Sequence, residues 1–133
     1  MIQLNLNQGA NELANEAGVQ VKGNHDPGLA NGLSPRELIE AAIALCTSIT
    51  LESVLKRDGI EYNADEVQVQ VVASKEEGVK NRFTHFQVDL TLPSGLDEPY
   101  TKKLLKVVER GCTISNTVTN GATVTLQAKS ESK

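Results

Sequence analysis

One stretch of this chain decides its fold: Ser34-Pro35-Arg36-Glu37-Leu38-Ile39-Glu40-Ala41-Ala42-Ile43-Ala44-Leu45-Cys46. It opens with an S-x-x-E capping box, and proline stands at the first helical position, where a missing N–H does no harm. Helix formers continue to about Arg57, and Asp58-Gly59 stops them. Because residues 41–46 are apolar on every face, this helix must be enclosed on all sides, and one small protomer would struggle to supply that cover.

Two groups of strands flank the long helix. Before it, two short runs alternate apolar and polar residues and predict an N-terminal hairpin, and residues 24–32 are loop by composition. After it, two further alternating runs predict a pair of antiparallel strands. The apolar positions are Ile2, Leu4, Leu6, Val19 and Val21 before the helix, and Val67, Val69, Val71, Phe86, Val88, Leu90 and Leu92 after it.

The last third of the chain predicts two shorter helices and a strand. Apolar residues recur at helical spacing over residues 100–108, and Gly111 ends that helix. A short helix can then begin at Cys112 and end at Asn120-Gly121, because both of these residues tolerate the left-handed conformation. Residues 124–128 alternate again and predict a final strand.

Composition limits both the architecture and the partners. The 133 residues suit one α+β domain over residues 1–133 with mostly antiparallel pairing, in which residues 130–133 are expected to fray. Aromatic residues make up only 3% of the chain, so the core must be aliphatic. A net charge of -4 without a Lys/Arg cluster predicts no binding to nucleic acid or to an anionic membrane.

The N-terminus and the longest apolar stretch predict a cytoplasmic protein. The first seven residues have neither the basic nor the apolar region of a secretion signal. The longest uncharged apolar stretch, residues 41–51, is well short of the ~20 residues that a membrane span needs. We therefore expect neither export nor membrane insertion.

Two cysteines carry the candidate chemistry, and without a secretion signal they indicate thiol chemistry more than a structural disulfide. Cys112 opens a helix, whose free N–H groups and dipole favour a thiolate, and Arg110 is two residues away. Cys46 lies among apolar helical neighbours and would need a cation from another segment, for which Lys22, Arg82 and Arg110 are available. The alternative for each cysteine is a small buried core residue.

Other polar residues have structural interpretations. Arg36 precedes Cys46 by ten residues, or roughly 15 Å along the helix axis, which is beyond the reach of its side chain. Glu37 is explained by the capping box. His85 falls on the polar face of its strand, where a solvated role is expected. No C-x-x-C or H-x-x-x-H spacing is present, so the sequence predicts no metal site.

Residues 34–46, followed far downstream by Cys112-Thr113-Ile114-Ser115-Asn116-Thr117-Val118 and a final strand, resemble the OsmC/Ohr family of thiol-dependent peroxidases over nearly the whole chain. A proline eleven residues before a mid-helix cysteine, combined with a C-x-[VI]-S second cysteine, is more specific than either half alone. The resemblance implies an OsmC-like intertwined homodimer, in which long central helices are wrapped by mostly antiparallel sheets from both subunits.

The resemblance also implies a reaction and an antioxidant role in stress response. Cys46 would attack an organic hydroperoxide and become a sulfenic acid, and Cys112 would resolve it as a disulfide. No bound cofactor is implied, because an external dithiol of the lipoyl type would reduce that disulfide.

Two positions depart from the efficient peroxidases of this family. Those proteins have glutamate ten residues before the first cysteine, where this chain has Arg36. They also bring an arginine from the N-terminal hairpin to the thiolate, whereas the only lysine or arginine before Arg36 is Lys22, which lacks the guanidinium fork. Glu37, Arg36, Lys22 and Arg110 are therefore the candidates for supporting the thiolate.

These departures place the chain closer to the general OsmC-like branch. Peroxidase activity is the first hypothesis. The alternative hypothesis is a dimeric binding module for a small hydrophobic ligand, in which both thiols are merely buried.

Overall fold

The computed structural model describes residues 1–6, 11–24 and 31–129. Its helices and strands confirm the predicted α+β class. In chain order they are β1 Ile2–Asn5, β2 Asn11–Asn15, β3 Gln20–Gly23, α1 Pro35–Arg57, a 3-10 turn at Ala64–Glu66, β4 Gln68–Ser74, β5 His85–Thr91, α2 Glu98–Gly111 and α3 Thr113–Asn120.

Helix α1 begins and ends at the predicted residues. The Ser34 hydroxyl accepts the N–H of Glu37 at 3.2 Å, and the N–H of Ser34 donates to Glu37 Oε1 at 2.9 Å, which completes the capping box. These two hydrogen bonds hold the pKa of Glu37 below its ordinary value, and the bond from the backbone N–H of Ser34 has the larger effect. At the other end the N–H of Asp58 donates to the carbonyl of Val54, and Gly59 turns the chain with a φ of +69°.

The core forms where the C-terminal half of α1 packs on α2. Leu51 and Leu55 are fully buried there with Val54, and α2 contributes Leu104 and Val108. These buried core residues are all aliphatic, as the low aromatic content of the sequence predicts. The N-terminal half of α1 is covered less completely.

Two large apolar residues in the middle of α1 are uncovered. Leu45 is 62% exposed and Ile49 is 56% exposed, so the all-round enclosure that the sequence predicts is not supplied by one chain. Helix α1 is also long and apolar enough to cross a membrane by length and composition, a test that enclosed core helices pass as well.

The N-terminal strands form a three-stranded sheet in place of the predicted hairpin. Strands β1 and β3 do not pair with each other; both pair antiparallel with β2, where Leu13 faces Leu4 on one side and Val21 on the other. Strand β2 was missed because its sequence, Asn-Glu-Leu-Ala-Asn, is too polar to show alternation. Of the loop predicted at residues 24–32, residues 25–30 lie outside the described residues.

The second sheet has the predicted antiparallel pair. Strands β4 and β5 place Val71 opposite Val88 and Val69 opposite Leu90. The predicted polar face of β5 is confirmed, because His85 lies exposed with its ring nitrogen 3.3 Å from the side chain of Gln87.

The prediction of a C-terminal strand is wrong for the single chain. Helix α3 ends as expected at Gly121, whose φ is +77°, but residues 121–129 form no strand. Val124 is 92% exposed and Leu126 is 96% exposed. Alternation alone does not make a strand, because its backbone N–H and C=O groups need a neighbouring strand. The predicted fraying of residues 130–133 lies outside the described residues.

Candidate functional site

The fold brings the two cysteines together. Cys46 lies in the middle of α1, and Cys112 lies at the junction where α2 ends and α3 begins. Both are free thiols, and the thiol of Cys46 lies near enough to Cys112 to lower its pKa. Cys112 is buried, with 2% of its surface exposed, whereas Cys46 is half-buried. The arrangement is a pair of thiols from two distant segments, of which one is buried and one half-buried.

A glycine allows this approach. A Cβ atom built on Gly111 would lie 2.9 Å from Cγ2 of Thr50, closer than real Cβ contacts come. The hydroxyl of Thr50 donates to the carbonyl of Cys46 at 2.9 Å, so the contact lies one helical turn beyond the first thiol. The end of α2 therefore rests directly on α1, and the next residue is Cys112.

The surroundings of Cys112 favour its thiolate. Burial raises the pKa of the Cys112 thiol, but four interactions together outweigh it and leave this pKa below its ordinary value. In decreasing order these are the hydroxyl of Ser115, the thiol of Cys46, the backbone N–H of Ser115 and the hydroxyl of Thr47. The sulfur of Cys112 accepts no N-cap hydrogen bond from the first turn of α3.

An apolar cavity opens beside Cys112. It has a volume of about 400 Å³, and Cys112, Thr47 and Ser115 form its polar edge. The remaining wall comes from β5 and α2 and is mostly apolar, made by Phe86, Gln87, Val88, Leu90, Leu105, Val108 and Glu109.

A second cavity adjoins the first. It has a volume of about 530 Å³ and shares Phe86, Val88, Glu109 and Ser115 with the first. Its lining also includes Arg82 and His85.

Two of the four predicted supporting residues bond to other side chains or caps, and the side chains of the other two are exposed. Arg36 pairs with Glu40 at 3.1 Å, and Glu37 completes the capping box. Lys22 is exposed on β3 opposite Glu12, and Arg110 is exposed with its carbonyl accepting from Asn116. The groups that shift the pKa of Cys112 are hydroxyls, a thiol and an amide, and none of them is a cation.

Two residues beside the thiols were missed from the sequence. Thr47 directly follows Cys46 and is buried, and Ser115 is the third residue of α3. Ser115 could have been found, because the third residue of a helix is the one that faces the N-cap side chain. Thr47 carries no such signal. Over the described ranges no three His, Cys, Asp or Glu side chains lie close enough together to hold a metal ion.

A family model and several solved structures match this chain. The family model described as OsmC-like protein matches residues 25–127. No curated protein matches the sequence closely enough to count.

Solved structures with similar folds span nearly the whole chain. The organic hydroperoxide resistance protein OhrB of Bacillus subtilis is 24% identical with a TM-score of 0.62, and the match covers 89% of this chain and 90% of that one. An organic hydroperoxide resistance protein from Legionella pneumophila is 16% identical with a TM-score of 0.66, covering 89% and 87%. An OsmC-like protein from Mycoplasma pneumoniae is 18% identical with a TM-score of 0.72, covering 90% and 86%. At these identities the likeness establishes the fold.

Proposed function

Because this chain belongs to the family of OsmC-like proteins, we propose that it is a thiol peroxidase that reduces organic hydroperoxides. The observation that carries the proposal is the proximity of the Cys46 thiol to Cys112, which lines an apolar cavity. Two of the similar structures are organic hydroperoxide resistance proteins, which supports the same class of substrate.

The proposed reaction uses both thiols in turn. The Cys46 thiolate attacks the terminal oxygen of the hydroperoxide, so that an S–O bond forms, the O–O bond breaks and the alcohol leaves. Cys112 then attacks the sulfenic sulfur of Cys46, an S–S bond forms and the oxygen leaves as water. An external dithiol of the lipoyl type reduces the disulfide by thiol–disulfide exchange, and no bound cofactor takes part.

The cavity supports a preference for organic peroxides. Its wall is mostly apolar, and it is large enough for a small alkyl or aryl group. Burying that group adds hydrophobic binding free energy that hydrogen peroxide cannot supply. We therefore expect a faster reaction with cumene hydroperoxide than with hydrogen peroxide.

The test follows the mass of the reduced protein after one equivalent of peroxide. With cumene hydroperoxide the parent should lose two hydrogen atoms rapidly as the disulfide closes. Cys112→Ser should stop at a sulfenic acid on Cys46 that dimedone traps, and Cys46→Ser should lose turnover. An unchanged parent mass, or equal turnover by Cys46→Ser and the parent, would contradict the proposal.

We also propose that the chain acts in the cytoplasm as an intertwined homodimer. Exposed apolar residues support this, namely Leu45 and Ile49 on α1 and Val124 and Leu126 in the C-terminal segment. In the proposed dimer the second subunit covers both sets. Sedimentation should show a dimer that the double substitution Val124→Asp and Leu126→Asp weakens. Thr125→Asp, at the polar position between them, should leave the dimer intact. A monomeric parent would contradict the dimer.

A second candidate function is a binding module for a small hydrophobic ligand. It is favoured by the unmatched activating pair, because Arg36 is engaged by Glu40 and Lys22 lies exposed on β3. Slow alkylation of both thiols at the rate of free cysteine, together with binding of an apolar fluorophore, would favour it. Rapid labelling of one thiol would favour the peroxidase.

A further inference from the structure

The second cavity is lined by two opposite charges that do not pair with each other. Arg82 and Glu109 both line it, together with Phe83 and Phe86. In the described part of the chain, neither charged side chain forms an ion pair with the other or with a third residue. Both side chains are exposed. An arginine that lines a cavity without a carboxylate partner can offer its planar set of donors to the carboxylate of a ligand.

The loop that carries Arg82 is held in place by one lysine. Residues 75–84 connect β4 to β5. The ammonium of Lys75 donates to the carbonyl of Lys80 at 2.7 Å and lies 5.2 Å from the centroid of the Phe83 ring. Lys75 therefore holds a residue on either side of Arg82. Because this part of the loop is ordered before a ligand arrives, binding through Arg82 loses less conformational entropy.

The second cavity lies beside the cavity of the thiols, because four residues line both. The shared residues are Phe86, Val88, Glu109 and Ser115. Cys112 lines the first cavity, and Arg82 lines the second. A ligand that occupies both cavities therefore has one end beside Cys112 and the other beside Arg82. Glu109 in the shared wall repels a carboxylate, so an acidic ligand is best bound with its charge at the Arg82 end.

We propose that Arg82 determines substrate specificity by binding the carboxylate of an apolar hydroperoxide, whose peroxide end occupies the cavity beside Cys112. This role rests on the proposed peroxidase function, and it names the substrate class as hydroperoxides of apolar carboxylic acids. The guanidinium donates hydrogen bonds to the carboxylate, and no covalent bond changes at this end of the ligand. Phe86 and Val88 pack on the apolar part between the two ends.

The first experiment measures binding of ligands that carry no peroxide. The probes are para-isopropylbenzoate and its neutral isostere para-isopropylbenzamide, which are titrated calorimetrically into the reduced protein. The parent should bind the acid more tightly than the amide. Arg82→Gln should lower the ratio of the two affinities about tenfold, as expected for the loss of a charge-assisted hydrogen bond. Lys80→Gln is the matched control and should keep the parent's ratio, because it removes the same charge from the same loop outside the cavity lining.

The second experiment measures the role of Arg82 in substrate choice. Reduced protein is mixed with cumene hydroperoxide or with the same hydroperoxide carrying a para-carboxylate, and quenched samples are weighed by mass spectrometry to follow oxidation of Cys46. The parent should react faster with the acid at concentrations below saturation. Arg82→Gln should lower the ratio of the acid rate to the neutral rate about tenfold, whereas Lys80→Gln should retain it. Circular dichroism checks that the variants are folded.

The two experiments separate the carboxylate site from the peroxidase. If Arg82→Gln keeps the parent's affinity ratio, or Lys80→Gln lowers it as far, the inference is overturned whatever the peroxides do. If only Arg82→Gln lowers the affinity ratio but neither peroxide oxidises Cys46, the peroxidase function fails, and the site belongs to the alternative binding module. If Cys46 is oxidised with an unchanged rate ratio in Arg82→Gln, the role in substrate choice is overturned while the peroxidase stands. A fall of both ratios in Arg82→Gln alone supports the inference.

Discussion

The α-carbon of Gly111 lies against the methyl group of Thr50, so that a Cβ atom at position 111 would come within 2.9 Å of Thr50 Cγ2. Thr50 cannot move aside easily, because it is β-branched and its hydroxyl is bonded to the carbonyl of Cys46 at 2.9 Å. A missing side chain thus allows the junction of α2 and α3 to reach α1. The two thiols come close together beside this point.

We expect Gly111→Ala to destabilise the protein by about 1–3 kcal/mol, because the added methyl group overpacks the contact with Thr50. Urea denaturation measures the loss. The same variant should close a Cys46–Cys112 disulfide more slowly, because α2 must move away from α1.

The control for this contact is Thr50→Ser, which removes Cγ2 but keeps the hydroxyl bond to Cys46. In a double-mutant cycle, the loss caused by Gly111→Ala should shrink in the Thr50→Ser background. Losses that simply add would show that the methyl contact is not the reason for glycine at this position.

The N-cap of α1 should contribute measurably to stability. Ser34→Ala removes the acceptor for the N–H of Glu37 and should lower the free energy of unfolding by about 1 kcal/mol. Ser48→Ala is the matched control in the middle of the same helix, where the hydroxyl only bonds the carbonyl of Leu45. Because alanine is the better helix former, this control should cost nothing. Equal losses for both serines would contradict a capping effect.

Glu37 should make the stability depend on pH at the acidic end. The hydrogen bonds from Ser34, led by the one from its backbone, lower the pKa of Glu37 from its ordinary 4.5. A lowered pKa means that the stabilisation is present above about pH 4.5 and is lost as the pH falls through the folded-state value. Glu37→Gln cannot titrate, so its disadvantage relative to the parent should fade below pH 4.5 in denaturation curves. A constant difference across that range would contradict the assignment.

Glu40 should matter far more than its exposed partner Arg36. Its Oε2 accepts the backbone N–H of Ala73 in β4 at 2.7 Å and also pairs with Arg36 at 3.1 Å. Glu40→Ala leaves that N–H without its partner and should cost about 1–3 kcal/mol. Arg36→Ala breaks only an exposed helix pair and should cost less than about 0.5 kcal/mol. If the two substitutions were equally harmful, the ion pair rather than the link to β4 would be the stabilising element.

Parts of the fold were predictable because their signals are local. The ends of α1 follow from the capping box at Ser34 and the stop at Gly59, which involve neighbours within one helical turn. The pairing of β4 with β5 follows from alternation in both strands. Strand β2 was missed because its polar residues hide the alternation, and residues 124–128 alternate without a strand partner in the described chain.

The same distinction between local and long-range signals applies to the candidate site. By itself the sequence determined the two thiols, the helix that carries Cys46 and the helix start at Cys112, because caps and periodicity act over a few residues. Only the tertiary structure decided that the two thiols come close together and that Thr47 and Ser115 line the same cavity as Cys112. These contacts depend on how closely α2 and α3 pack on α1, and that distance is set by the approach of Gly111 to Thr50 across the chain.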